Sequence, residues 1–361
     1  MARIGIIGTG NISGIYLENA PWLGLEVLAV ADLDLERARV QAEKYGVPHA
    51  LSVDDLLAHP DIEIVLNLTV PAAHGPIALR ALEAGKHVYN EKPLATSLEE
   101  AQAMLELAKR KNLRVGCAPD TFLGAGFQTA RELLEGGLVG QVVQAHALMS
   151  SVGPEGWHPD PDFFFQPGAG PLFDMGPYYL TALVSLFGSV SSMFAVTKMT
   201  HLERTVGSGP KAGQRIAVNT PTHVSGVLSF ESGLSANLTM SFDAVAGHAP
   251  NLEVYGTLGS LTLPDPNTFG GPLETWDAQG TRRELPLSKP FADNSRGLGL
   301  ADMARAIREG RPHLASGELA YHVLEILFRL LESGRENRPV QVASRVIRPE
   351  ALQDGFDQIK A

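Results

Sequence analysis

Three short stretches carry the residue types that chemistry needs. The first is HVYNEKPLA, residues 87–95. It begins as a strand and runs straight into Glu91, Lys92 and Pro93. Proline fixes its own φ and keeps the preceding residue extended, so the Lys92 ammonium is aimed rather than left free. A cation held that way can hydrogen-bond a substrate oxygen or favour the ionised form of a neighbouring phenol or alcohol. A surface Glu–Lys pair of little energetic consequence is the plainer alternative. The second stretch is GAGPLFDMGPYYLTALVSLFG, residues 168–188. Asp174 and Tyr178 stand four apart where Pro177 predicts a helix start, a spacing that lets both point the same way. Gly176 between them would let a ligand approach. The plainer alternative makes Asp174 a helix cap and Tyr178 a core aromatic; Tyr179 reads as packing. The third stretch, SSVGPEGWHPDPDFFFQPGAG at 150–170, is rich in aromatics and turn formers, as a loop over a pocket would be. There Trp157 and His158 could stack on and hydrogen-bond a ring, unless the loop is simply packed. Asp120 and Phe122 are weaker candidates of the same kind.

These stretches need elements to position them. RIGIIG (3–8), LEVLAVAD (25–32), IEIVLNLT (62–69), KHVYN (86–90) and LRVGCA (113–118) are short apolar runs and read as buried parallel strands. Helical patterns lie between them at 35–46, 74–85 and 97–111. The last opens with a Ser-x-x-Glu capping box, Ser97 and Glu100, and closes on basic residues. Such alternation argues for a parallel sheet with helices on both faces. Strand ends then share one edge, and Glu91-Lys92-Pro93 falls on it. The first strand runs into Gly8-Thr9-Gly10-Asn11-Ile12-Ser13-Gly14. Gly8 permits a tight turn, Gly10 lets backbone approach a pyrophosphate, and Asn11 and Ile12 lead into a helix N-terminus that favours anions. Ser13 stands where Gly or Ala is usual and is small enough to keep the helix close. Asp32, about 20 residues further on, would accept hydrogen bonds from the adenosine ribose and repel a 2′-phosphate. The pattern predicts dinucleotide binding, with NAD favoured; NADP is the alternative that Arg37 leaves open. Thr69 and Pro71 at the third strand end would flank the cofactor. His74 either contacts it or caps its own helix.

From about residue 140 the pattern changes to period two. LSANLTMSF (234–242) alternates Leu234, Ala236, Leu238, Met240 and Phe242 with polar residues, as an antiparallel strand covered on one side does. Strands are also predicted at 141–150, 192–199, 222–230 and 251–263, and helices at 296–310 and 319–334. Residues 203–221 read as a mobile loop and 264–272 as turns. The boundary is expected near 118–124, giving a domain of residues 1–120 and another of residues 121–361.

Net charge is −11 over 361 residues, with 44% hydrophobic and 19% charged residues. No basic stripe is present to track phosphates, so nucleic acid is not an expected partner. No apolar run suits a membrane helix. MARIGIIG is already strand, so no signal peptide is expected. The single cysteine, Cys117, reads as a small buried hydrophobe and fits a reducing cytoplasm. No metal is called for.

GTGNIS at the first strand end, Asp32, AGKHVYNEKPLA and GPLFDMGPYY, in this order and spacing, resemble the Gfo/Idh/MocA family of NAD(P)-dependent oxidoreductases over essentially the whole chain. The resemblance implies an α/β architecture: a Rossmann doubly wound domain followed by an α+β domain with a large, mainly antiparallel open-faced sheet. It implies a homodimer or homotetramer formed through that sheet. It further implies that Lys92 is the catalytic lysine and that Asp174 binds substrate. Many members carry histidine where this chain has Tyr178. In this it resembles the glucose–fructose oxidoreductase and dihydrodiol dehydrogenase branches, where tyrosine is the acid/base. The expected reaction is hydride transfer between a nicotinamide and a secondary alcohol or ketone of a sugar or cyclic polyol, handled by Lys92, Tyr178 and Asp174. Two alternatives share the scaffold. A redox glycosidase or lyase would hold NAD tightly and regenerate it, and a sugar-sensing regulator could dispense with both the lysine and the tyrosine.

Overall fold

A computed structural model describes residues 1–245, 247, 249–353 and 356. The chain folds into two compact units. One comprises Met1–Gly124, Pro290–Leu324 and the described residues from Pro349 on; the other comprises Ala125–Lys289 and Glu325–Arg348. The single crossing expected near residue 120 is therefore replaced by several. An amphipathic helix shows in sequence that it has an apolar face, but not which sheet that face will cover.

The first unit is built on six parallel strands: β1 (Ala2–Ile7), β2 (Leu25–Ala31), β3 (His49–Leu51), β4 (Ile64–Asn67), β5 (His87–Asn90) and β6 (Val115–Cys117). Their order is β3-β2-β1-β4-β5-β6. The order reverses between β1 and β4, which opens the ligand crevice of a doubly wound sheet at the carboxyl ends of those strands. Ile4, Ile6, Ile7, Val65 and Leu66 are all at most 1% exposed. Burial on both faces explains why these strands read as continuous apolar runs instead of alternating. The connecting helices are α1 (Ser13–Asn19), α2 (Leu35–Tyr45), α3 (Val53–Ala58), α4 (Pro71–Glu83) and α5 (Leu98–Lys111). Asp34 caps α2 by accepting from the Glu36 and Arg37 amides, and Gly46 ends it at φ 68°. Ser97 caps α5 through the Glu100 amide as the sequence predicts, and Asn112 takes the left-handed end at φ 54°. Strand β3 and helix α3 have no counterpart in the sequence reading. Three residues of half-exposed strand and six of helix are too short for a period to register.

The second unit contains α6 (Ala125–Glu135) and a nine-stranded sheet. In chain order its strands are β7 (Val142–Ser150) and β8 (Val190–Lys198), then, after a separate two-stranded ribbon of β9 (Glu203–Thr205) and β10 (Arg215–Ala217), β11 (His223–Phe230), β12 (Ser235–Ser241), β13 (Leu252–Gly256), β14 (Gly259–Leu263), β15 (Leu273–Asp277), β16 (Arg282–Leu285) and, much later, β17 (Val340–Gln341). The sheet order is β16-β15-β14-β13-β7-β12-β11-β8-β17. Every pairing is antiparallel except β7 with β12. One face is core, through Ala145, Ala147, Ala236, Leu238 and Met240. The other carries half-exposed Phe194, Val196, Val227, Tyr255 and Trp276 among hydroxyl residues. Residues 203–221 are not an open loop, because β9 and β10 pair within them. Glycine and proline density flagged turns correctly there but hid two three-residue strands. Helices α7 (Gly170–Asp174) and α8 (Gly176–Phe187) follow the aromatic stretch, while α9 (Leu298–Glu309) belongs to the first unit. Helix α10 (Gly317–Glu336) contributes residues through Leu324 to the first unit and the rest to the second.

Candidate active site

In the first unit the glycine turn, Asp32, Thr69, His74 and the lysine turn all gather at the carboxyl ends of β1, β2, β4 and β5. Gly8 takes φ 100°, and a Cβ there would stand 2.6 Å from the Leu68 carbonyl, so only glycine passes. At Gly10 nothing lies within 4 Å of a built Cβ, which leaves backbone open to a pyrophosphate. Asn11 and Ile12 are exposed beside it. Buried Ser13 donates its hydroxyl to the Gly10 carbonyl at 2.7 Å. The close-packing role falls to Gly14, where a Cβ would meet the Tyr45 hydroxyl at 2.9 Å.

Asp32 has a 7% exposed side chain. One carboxylate oxygen accepts from the Thr9 amide at 2.8 Å and the Thr9 hydroxyl at 2.9 Å. The other accepts from the Asp34 amide at 3.0 Å and from Arg37 at 2.6 Å. Burial alone would raise its pKa; these donors, led by the Thr9 amide, hold it down at about 2. Arg37 is thus turned onto Asp32. A carboxylate kept ionised beside the glycine turn fits the ribose end of a dinucleotide. The open cradle at Gly10 fits its pyrophosphate.

At the end of β4, Asn67 accepts from the Thr69 hydroxyl at 2.7 Å. It donates to Asn90 at 3.0 Å and to the His74 carbonyl at 3.1 Å, and Asn90 in turn donates to the Leu94 carbonyl at 2.9 Å. Both asparagines are fully buried. Pro71 begins α4 on the surface. His74 lies inside α4, 1% exposed, and both ring nitrogens face backbone: Nδ1 is 2.6 Å from the Pro93 carbonyl oxygen and Nε2 is 3.0 Å from that of Thr69. Burial pushes its pKa down, against the pull of the two carbonyls and Glu91.

Glu91 is 9% exposed and accepts from the Tyr16 hydroxyl at 2.7 Å and from the Lys92 amide at 2.8 Å. Lys92 itself is half-buried, and its peptide bond to Pro93 is cis. Asp120 is 1% exposed and accepts from the Gly297 and Gly299 amides at the start of α9, each at 2.9 Å. Burial pushes its pKa up to about 6 even against those donors. Phe122 is buried beside it in sequence, and Cys117 is buried as expected.

Thr9, Tyr16, Asn67 and Asn90 were not singled out from sequence. The asparagines did leave a signal: an amide at the end of an apolar strand run is a polar group heading for burial and must find partners. Tyr16 left none, because its partner is 75 residues away.

In the second unit Asp174 closes α7, and α8 begins after Met175 without a side-chain cap. Asp174 is half-buried and is not the cap of α8. Tyr178 lies in the first turn of α8 and is 8% exposed. The expected ligand approach at Gly176 is corrected: a Cβ there would meet Leu327 at 2.8 Å, so the glycine serves helix packing. Tyr179 is fully buried and accepts from Asn251 at 2.8 Å, which makes it the packing residue it reads as. Trp157 is 68% exposed. Its ring meets His158 edge-on at 5.5 Å and Phe164 at 6.4 Å. His158 Nδ1 accepts from the Asp160 amide at 3.1 Å. Behind this cluster Arg204 bonds Glu155 at 2.6 Å, the Phe242 carbonyl at 3.0 Å, and Asp243.

Residues 2–118 match the GFO/IDH/MocA oxidoreductase family, NAD-binding Rossmann fold, and residues 127–262 match the GFO/IDH/MocA C-terminal domain. The chain belongs to this family. It is an NAD-binding oxidoreductase. It is 31% identical to a dTDP-3,4-didehydro-2,6-dideoxy-α-D-glucose 3-reductase of Saccharopolyspora spinosa over 85% of this chain and 88% of that one. It is 27% identical to a myo-inositol 2-dehydrogenase of Thermotoga maritima over 94% and 98%. Its fold matches a levoglucosan dehydrogenase solved with NADH and L-sorbose, at TM-score 0.80 and 23% identity over 95% and 99% of the two chains. Among the described residues no helix is long and apolar enough to cross a membrane.

Proposed function

We propose that the protein transfers a hydride between NAD and a secondary CH–OH carbon of a sugar, cyclic polyol or derivative. The observation that carries this is the lysine turn. Glu91, Pro93 and Leu94 are each held by a buried hydrogen bond at the cofactor edge of the sheet, so the residue between them is presented, not loose. The named relatives act on a polyol and on a sugar derivative, which supports the substrate class.

Gly8, Gly10, Asn11, Ile12, Asp32, Thr69 and Pro71 form the cofactor side of this reading; His74 and Glu91, whose ring nitrogens and carboxylate oxygens are taken by neighbours, stand behind it. The nicotinamide, when bound, supplies the hydride acceptor or donor. Asp32, held ionised, accepts from ribose hydroxyls and opposes a 2′-phosphate, which favours NAD over NADP; Arg37 is spent on Asp32. Tyr178 takes the proton of the substrate hydroxyl as the carbinol is oxidised and returns it in reduction. Lys92 hydrogen-bonds the substrate oxygen and stabilises the charge that develops on it. Asp174 orients further hydroxyls, and Trp157 and His158 stack on and bond the ring; Asp120, buried and bonded to the Gly297 and Gly299 amides, is left to hold the start of α9. The half-exposed sheet face is the surface proposed for a homodimer or homotetramer.

The test is a panel of aldoses, inositols, deoxy- and anhydro-sugars, followed at 340 nm with NAD and with NADP. Stoichiometric NADH accumulation is expected; product without net NADH would point to the glycosidase or lyase chemistry instead. On the best substrate, Tyr178→Phe should abolish the acidic limb of the pH–rate profile. An unchanged profile assigns the proton to Lys92 or water.

A further inference from the structure

We propose that Tyr16 and His74 are positioning residues that tie the turn carrying Lys92 to the two turns that receive the cofactor. The inference rests on the reading of Lys92 as catalytic. Tyr16 lies on α1, directly after the glycine turn, and is 3% exposed. Its hydroxyl donates to one oxygen of Glu91 while the other oxygen takes the Lys92 amide. Burial, reinforced by the Glu91 charge, pushes the Tyr16 phenol well up, so it stays a donor. A hydroxyl donating to a buried carboxylate is among the stronger hydrogen bonds in a protein. Any shift of α1 therefore reaches the backbone of Lys92 through one side chain.

His74 works from the other side. Its Nδ1 stands 2.6 Å from the Pro93 carbonyl oxygen; a protonated ring donates from both edges and a neutral one from the edge that carries its N–H. The opposite edge of the ring rests on the Thr69 carbonyl. Thr69 abuts the glycine turn, since a Cβ at Gly8 would lie 2.8 Å from its amide nitrogen. The lysine turn is thus pinned at Glu91 to the helix behind the glycine turn, and at Pro93 to the strand end beside it. A cofactor that seats those turns seats the lysine as well.

Acetylation of Lys92 in the full chain, followed by mass spectrometry with and without saturating NADH, reads this coupling. In wild type, NADH should slow labelling of Lys92 about tenfold, within the ordinary range of site-to-site coupling. In Tyr16→Phe and His74→Gln the protection should fall to roughly twofold, with NADH affinity by fluorescence titration within about threefold of wild type. Undiminished protection in both variants overturns the inference. Glu91→Gln keeps the shape of the tether without its charge and serves if Tyr16→Phe melts early; it too should lose protection, and full protection in it overturns the Tyr16 tether. Turnover of Lys92→Met on the best panel substrate separates the two readings. If that variant keeps its activity, the catalytic reading fails by itself. If it is inactive while protection is undiminished in the tether variants, only this inference fails.

Discussion

The cofactor edge of the first unit and the aromatic stretch of the second are built on opposite plans. At the edge, Asp32, Asn67, His74, Asn90 and Glu91 are buried or nearly so, and each is spent on a neighbour within hydrogen-bond distance. Around His158, the exposed rings of Trp157 and Phe163 meet it edge-on above buried Phe164 and Phe165, with an Arg204 network fixing the backbone nearby. A buried satisfied network allows few arrangements, because each broken bond strands a polar group away from water. Exposed aromatics cost little to rearrange. The difference teaches that, on the proposed function, the dinucleotide and the lysine would be met by a rigid surface and the substrate ring by an adaptable one.

This contrast can be broken by substitution. The largest effect is expected for Lys92→Met: turnover should fall by roughly 10²–10⁴-fold, the range for a lost proton-handling or polarising group, with NADH binding nearly unchanged. Equal losses of turnover and NADH affinity would make the lysine a cofactor anchor instead.

Next comes Asp120. Its folded pKa is raised from 3.8 to about 6. The folded state therefore binds a proton that the unfolded state lacks between those values. The stabilisation is complete below about pH 4 and is lost as pH rises through 6. Two units correspond to roughly 3 kcal/mol. Urea titrations at pH 5 and pH 7.5, which read only the part of this window between 5 and 6, should show a loss of about 1.4 kcal/mol in wild type and a smaller one in Asp120→Asn.

A smaller change is expected for Asp32→Asn. Losing a charged acceptor for the ribose should weaken NAD about tenfold and bring NADP closer to it, in keeping with roughly 1.5–3 kcal/mol for a charged hydrogen bond. An unchanged ratio of the two cofactors would remove Asp32 as the selector.

Smallest, and sharpest for the comparison, is Trp157→Ala. Stability should stay within about 0.5 kcal/mol, as for an exposed site, while the KM for sugars rises several-fold and the KM for NAD does not. A marked drop in melting temperature would show the aromatic stretch to be as rigidly built as the cofactor edge.

Local chemistry alone sufficed for much of this. The Gly8–Gly10 turn, the acid at Asp32, the Ser97 cap and the proline behind Lys92 are decided by residues adjacent in the chain or at fixed offsets. Two-residue alternation likewise announced β12, and continuous apolar runs announced β1, β2 and β4, because side-chain period follows directly from burial on one face or two. Tertiary structure alone decided the return of α9 to the first unit, the pairing of β9 with β10, the use of Gly176 for helix packing, and the bonds from Tyr16 to Glu91 and from His74 to Pro93. Each joins segments whose separation leaves no periodic trace, and each is selected by the need to bury an apolar face or satisfy a polar atom, a need that exists only once the chain has closed around it.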